Sequence, residues 1–234
     1  MKLLFLNLSL PQTVEYLGKP VVTGIFKQPV EGRVMLRAGN LKGDGQADRK
    51  NHGGACKAVY VYPFEHYAVW AHELARDGFA PGQFGENFTV EGMLESRVQI
   101  GDQFQIGDAA IEVTQPRVPC SKLAMKMGQE DFPKRFLASD RTGFYCRVLK
   151  EGEVGAGDAI LRIETAPQGM SVQAINRLMF REKSDLEGAM RVLHLPALSP
   201  GWRAIFEKRL LVAGVPASSL PAPTDTGSDC GEGL

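Results

Sequence analysis

The stretch GDQFQIGDAAIEVTQPRVPCSKL, residues 101–123, decides the fold. Two short apolar runs, 102–106 and 109–114, flank Gly107-Asp108, the chemistry of a tight hairpin turn. Beyond the second run, Pro116 and Pro119 fix their own φ and push Gln115 and Val118 toward extended conformations. The chain therefore leaves its strand stiffly and presents Cys120 at a fixed place. Arg117 and Lys122 are close in sequence, and if they are also close in space they favour the thiolate over the thiol. A thiolate is what a soft metal or an electrophile needs. On this local chemistry alone, a reactive Cys120 and a buried inert one are both open.

The same grammar extends outward. Runs at 3–8, 21–26, 33–37, 58–62 and 159–163 read as further strands, and Gly-Asp pairs recur at 43–44, 101–102 and 157–158 as hairpin-type turns. Many short strands joined by glycine turns predict a twisted β-barrel or sandwich with a few helices, a mainly β, α+β class. One helix interrupts the strands: Tyr67, Trp70, Ala71 and Leu74 form an i, i+3, i+4, i+7 stripe, and Gly78 is placed to end it. Shorter helices are expected at 122–127 and 132–138.

After Ala166-Pro167 the period changes. Ser171 precedes a helical stripe of Val172, Ile175, Leu178 and Met179; Ser184-Asp185-Leu186-Glu187 reads as a capping box; Ser199-Pro200 starts a helix running toward Leu211. The chain is thus expected to comprise a strand-rich domain over 1–166, three helices over 167–213, and a disordered Pro/Ser/Thr/Asp/Gly-rich tail over 214–234.

Composition excludes several classes. The 234 residues are 44% hydrophobic and 23% charged, with 27 Lys plus Arg against 27 Asp plus Glu, so no overall basic bias points to nucleic acid or an anionic membrane. No run approaches the ~20 apolar residues of a membrane span. In MKLLFLNLSLP, Asn7, Ser9 and Pro11 interrupt the apolar run and no small-residue cleavage site follows, so a buried first strand is expected and a cytoplasmic location. Cys56, Cys120, Cys146 and Cys230 form no C-x-x-C and are read as free thiols.

Two further segments carry candidate site residues. GDGQADRKNHGGACKAV, residues 43–59, holds four glycines; His52 before Gly53-Gly54 is either held on a tight turn facing a site or exposed on a glycine-rich loop. It contains no phosphate-binding or dinucleotide glycine pattern. In GQFGENFTVEG, residues 82–92, Asn87 hydrogen-bonds either a ligand or its own backbone in an Asx-turn. His66 and His72 do not share a helix face, no H-E-x-x-H or G-x-S-x-G occurs, and Glu130-Asp131 reads as a solvated face.

Taken in order, GDGQADRKNHGG, KAVYVYPFEHYAVW, FGENFTVEG and QPRVPCSKL resemble the MOSC family, the domain named for the C-terminal part of molybdenum cofactor sulfurase. SVQAINRLMF…LPALSPGW is similar to the three-helix domain that follows MOSC in the YiiM-like branch. The resemblance implies a compact β-barrel binding the molybdenum–pyranopterin cofactor, with Cys120 as the protein ligand to the metal. It implies His52, Asn87 and Arg117 as cofactor-pocket residues. It further implies reduction of N-hydroxylated compounds, such as N-hydroxylated purine bases, as in the related mitochondrial amidoxime-reducing component. No cluster-type cysteine spacing is present, so an external electron donor, a flavoprotein reductase, is expected. The alternative is a carrier of the cofactor or of a persulfide on Cys120 without reductase turnover. Cys56 departs from the family pattern and would add a second thiol near the pocket, and the helical part is a candidate for donor docking or homodimer assembly.

Overall fold

The computed structural model describes residues 1–48 and 53–222. The chain begins with β1 (Lys2–Leu8), a ribbon of β2 (Gln12–Tyr16) and β3 (Lys19–Thr23), then β4 (Gln28–Pro29), β5 (Arg33–Arg37) and β6 (Asn40–Leu41). After a short turn at Ala55–Lys57 come β7 (Val59–Pro63), α1 (Glu65–Glu73), β8 (Phe88–Glu91), β9 (Gln103–Ile106) and β10 (Ala109–Pro116). Next are α2 (Ser121–Met127), α3 (Phe132–Ala138), β11 (Phe144–Lys150), β12 (Gly152–Gly155) and β13 (Ile160–Glu164). Three helices follow: α4 (Val172–Phe180), α5 (Leu186–Leu193) and α6 (Pro200–Val212).

The main sheet runs β13-β9-β10-β11-β7-β8-β1-β4, with β7 and β8 parallel and the other neighbours antiparallel. It curls until β1 meets the start of β13: Leu3 N–H donates to Asp158 at 3.0 Å, Gly157 N–H to Leu3 at 2.7 Å, and Lys2 bridges Ala159. No ladder joins β13 to β4, so the expected barrel is an open, curled sheet. Of the four Gly-Asp pairs, only Gly107-Asp108 turns between hairpin strands, β9 and β10. Asp102 instead points inward, fully buried, and accepts from the backbone of Gln99 (2.9 Å) and Ala166 (3.2 Å).

Helix ends follow side-chain chemistry. Ser171 Oγ accepts from Ala174 N–H (3.1 Å) at the start of α4, and α6 begins at Pro200 after Ser199. At α5 the cap is Asp185, whose carboxylate accepts from Gly188 N–H at 2.7 Å, one residue beyond the expected Ser184. Helix α1 stops at Leu74, where Ala75 takes φ 50°, before Gly78 is reached.

The hydrophobic core is continuous from Leu3, Val59 and Ile111 of the sheet to Ile175, Val192, Trp202 and Phe206 of the helices. Each such side chain contributes roughly 1.5–3 kcal/mol on burial. The two parts are also pinned by Asp140, whose buried carboxylate receives Arg177 Nε and Arg181 Nη2, both at 2.8 Å. Past Gly214 the described chain stays on the surface of the core as far as residue 222. Val215 and Leu220 pack on the core, and Arg203 Nη2 donates to the carbonyls of Pro221 (2.5 Å) and Ala222 (3.1 Å). Residues 223–234, with Cys230, lie outside the described residues. A second, aromatic cluster of Tyr60, Tyr62, Tyr67, Trp70, Phe84, Phe132 and Phe136 fills the space under α1–α3. Among the described residues no helix is long and apolar enough to cross a membrane.

Candidate functional site

β10, α2, β7, β11 and the loops at 24–27 and 44–48 meet around a solvent-open cleft with about 610 Å³ of empty space. Its lining includes Asn87, Arg117 and Cys120, so three of the four residues expected from the sequence converge there. The fourth, His52, lies outside the described residues; Asp48 before it and Lys57 after it line the cleft.

The stiff exit read from Pro116 and Pro119 is realised. Arg117 N–H donates to Gly143 O at 3.2 Å, extending the β10–β11 pairing by one step, and the chain then turns into α2 with Cys120 as its N-cap residue. Cys120 is reduced and half-buried on the cleft wall. Cys146, one strand away, is also reduced but fully buried; burial, reinforced by Glu112, pushes its thiol well above the ordinary range, so it is the inert cysteine of the pair. Cys56 is disulfide-bonded, which corrects both the expectation of four free thiols and that of a second thiol at the pocket.

Arg117 is 5% exposed. Its guanidinium lies 4.8 Å from the Tyr60 ring and 5.5 Å from the Phe136 ring, and its Nη1 has no hydrogen-bond partner. Burial opposes its charge, but Tyr60, Tyr145 and Cys120 outweigh that and hold its pKa raised. No carboxylate pairs with it among the described residues, so an anion in the cleft would satisfy both the charge and the orphaned Nη1.

Asn87 borders the cleft in a different capacity from the expected Asx-turn. Its Oδ1 accepts from Tyr60 N–H (3.2 Å) while Nδ2 donates to Asp44 Oδ2 (3.0 Å), so it ties β7 to the 44–48 loop. Asp44 also receives Ser9 N–H (2.9 Å) and the Lys27 ammonium (2.5 Å). Burial lowers the pKa of Lys27 despite Asp44 and Glu86. Lys57 is likewise pulled down to about 8 by burial, opposed by Asp48. Beneath them Lys126 donates to the carbonyls of Ile25 (2.8 Å) and Gly82 (2.5 Å). Sequence reasoning missed Lys27, Asp44, Lys57 and Tyr145 as lining residues. For Lys27 the available signal was a charge inside the apolar run GIFKQP; for Tyr145 it was the alternation of FYCRVL.

The residues set aside stay out of the site. His66 is buried against Glu95 (2.7 Å), which also accepts from Gly143 N–H (2.7 Å); His72, Glu130 and Asp131 are exposed.

The donor set fits a metal that arrives with its own chelate. Among the described residues no three His, Cys, Asp or Glu side chains could enclose a bare ion. One accessible thiol beside a buried guanidinium that has no carboxylate partner among the described residues, with the three cleft-lining lysines Lys27, Lys57 and Lys122, suits an anionic organic cofactor whose metal needs a single protein ligand.

Comparison with known proteins agrees with this layout. The MOSC domain family matches residues 48–161, and the YiiM-like, 3-alpha helix domain family matches residues 170–212. The uncharacterized protein YflK of Bacillus subtilis is 46% identical over 206 residues, 88% of this chain and 93% of YflK. A protein of Gibberella moniliformis named Reductase is 33% identical over 183 residues, 77% of this chain but 32% of its own length. The crystal structure of YiiM from Geobacillus stearothermophilus superposes with a TM-score of 0.77 at 34% identity, covering 89% of this chain and 98% of YiiM. The chain therefore belongs to the MOSC family, in the group whose sheet is followed by a YiiM-like three-helix domain.

Proposed function

We propose that the protein is a molybdenum-cofactor-dependent reductase of N-hydroxylated compounds, N-hydroxylated purine bases among them, served by an external flavoprotein reductase. The observation that carries this reading is the half-buried Cys120 thiol on the wall of a cleft also lined by the buried Arg117, which has no carboxylate partner among the described residues. Membership of a family associated with the molybdenum cofactor, and a relative named Reductase, support it.

When bound, the cofactor supplies the two-electron chemistry that turns R–NH–OH and two protons into R–NH2 and water. The chain's own groups do the rest. Cys120 offers its thiolate to the metal, in a position set by Pro119 and by Leu123 N–H donating to its carbonyl at 2.9 Å. Arg117 holds a positive charge in the cleft wall, where it would attract an anionic oxygen of the bound group. Lys27, fixed by Asp44, has further N–H groups for an oxygen in the cleft. Lys57, with a pKa of about 8, is largely protonated at neutral pH and able to release a proton there.

The test is metal content and donor-driven reduction of an N-hydroxylated purine, in wild type beside Cys120→Ser, both purified from molybdenum-replete cells. Stoichiometric molybdenum and turnover in wild type, with turnover abolished in the variant, are expected. Turnover indifferent to Cys120→Ser would sink the reading, and a persulfide on Cys120 without turnover would replace it with a carrier.

A further inference from the structure

The roles above leave one cleft-lining aromatic without a task. Two tyrosines face the cleft, Tyr60 and Tyr145. Tyr60 is engaged by the protein: it is 3% exposed, Arg117 lies over its ring at 4.8 Å, and its hydroxyl donates to Thr142 O at 2.8 Å. Tyr145 is only partly buried. It sits in the middle of the sheet, opposite Tyr60 on β7 and Gln115 on β10, so its backbone is held from both sides. Thr114 Oγ1 adds a bond to its carbonyl at 3.0 Å. Its ring packs 5.3 Å from Tyr60 at an interplanar angle of 40°, and its hydroxyl interacts with Arg117. An aromatic ring fixed at both backbone and hydroxyl, and still partly open to a cleft, is a preorganised stacking surface.

We propose that Tyr145 is a specificity-determining residue: its ring is the platform on which a planar heteroaromatic N-hydroxylated substrate stacks, close to Cys120. The inference rests on the reductase reading and deepens it. Stacking a base on an aromatic side chain tightens binding by roughly five- to a hundredfold and needs only a π face. An aliphatic hydroxylamine has none and gains nothing from the ring. The electrons still come from the flavoprotein donor and the product is still the amine and water; Tyr145 alters only which substrates dwell in the cleft.

The test uses the full chain loaded with molybdenum cofactor, as wild type, Tyr145→Phe, Tyr145→Leu and Tyr145→Thr, the last being a second truncation suited to a strand. Adenine, a planar purine without the reacting group, is the calorimetric probe. Steady-state kinetics compare an N-hydroxylated purine with an aliphatic hydroxylamine. The two truncations should weaken adenine binding and raise KM for the purine roughly tenfold, within the range expected for loss of one stacking contact. Their kcat should stay within about twofold, while KM for the aliphatic compound rises far less than KM for the purine and molybdenum is retained; Tyr145→Phe, which keeps the ring but loses the hydroxyl contact to Arg117, should lie between wild type and the truncations. Four results would overturn the proposal: no adenine binding by wild type, equal KM increases for both substrates, Tyr145→Phe failing like the truncations, or loss of molybdenum on truncation, which would give the ring to the cofactor. If adenine binding follows Tyr145 while no variant or wild type turns over any N-hydroxylated compound, the stacking role stands and the reductase reading falls.

Discussion

Removing the Asp44 carboxylate tests whether the cleft floor is held by charge pairing. The Asp44 side chain is 2% exposed and that of Lys27 is 8% exposed, so neither charge is shared with bulk water. Asp44→Ala leaves the Lys27 ammonium and Ser9 N–H without this acceptor, while Asn87 Nδ2 keeps only its longer bond to Asn7 O at 3.4 Å. Breaking a buried pair from one side typically costs about 3–5 kcal/mol, because the surviving charge stays buried. Each neutral donor left unsatisfied adds about 1–3 kcal/mol, reduced here because the cleft admits water. A loss of about 3 kcal/mol is therefore expected for Asp44→Ala, which at a urea slope of about 2–3 kcal/mol/M lowers the midpoint by about 1 M or more. Lys27→Met should cost a similar amount. The double variant Lys27→Met/Asp44→Leu removes both charges and should recover most of the loss, ending within about 1–2 kcal/mol of wild type. Urea unfolding of the cofactor-free protein, followed by circular dichroism across the double-mutant cycle, measures all three. A cost below about 1 kcal/mol for Asp44→Ala, or a double variant as destabilised as the sum of the singles, would refute the reasoning.

Two further outcomes follow from the same region. Burial lowers the Lys126 pKa to about 8, against the raising influence of Glu86 and with Lys27 and Arg117 acting alongside, whereas the unfolded chain keeps that proton to about 10.4. Above about pH 8 the unfolded state binds more protons than the folded one, so stability should rise between pH 8 and 9.5, and rise less in Lys126→Met; identical slopes would count against the buried-ammonium assignment. Gly143 has φ 66°, and a Cβ there would lie 2.4 Å from Val61 O. Because its carbonyl also receives Arg117 N–H, Gly143→Ala should cost about 3 kcal/mol in urea unfolding and lower molybdenum occupancy together; a stable variant with full occupancy would contradict that linkage.

Legibility in the sequence varied with how local the signal was. The 33–37 and 132–138 segments came out at their observed bounds, since alternation and helical spacing act within a few residues. Strand β11, and with it Tyr145, carries a weaker local signal, because Arg147 and Lys150 interrupt the apolar residues of FYCRVLK. The prolines made the presentation of Cys120 a local matter, but local chemistry left its thiol open between reactive and inert, and the cofactor roles of Cys120 and Arg117 came only with the family resemblance. Gly43-Asp44 has the local chemistry of a hairpin turn, and nothing within a few residues announces that the partners of Asp44 are Lys27, Asn87 and Ser9. His66 illustrates the same limit: off the apolar stripe it looks solvated, yet Glu95, 29 residues away, provides the partner that lets it be buried.

The continuity of the core across residue 166 has a consequence for how this chain can be cut or grafted. Sequence families divide it into two named pieces, but Ile175, Val192, Trp202 and Phe206 finish a surface that the sheet leaves incomplete. A break between β13 and α4 would bare that surface on both fragments, so each half should be less stable alone than the whole. The piece that can be transplanted intact is the sheet together with its three helices, and it should melt as one cooperative body.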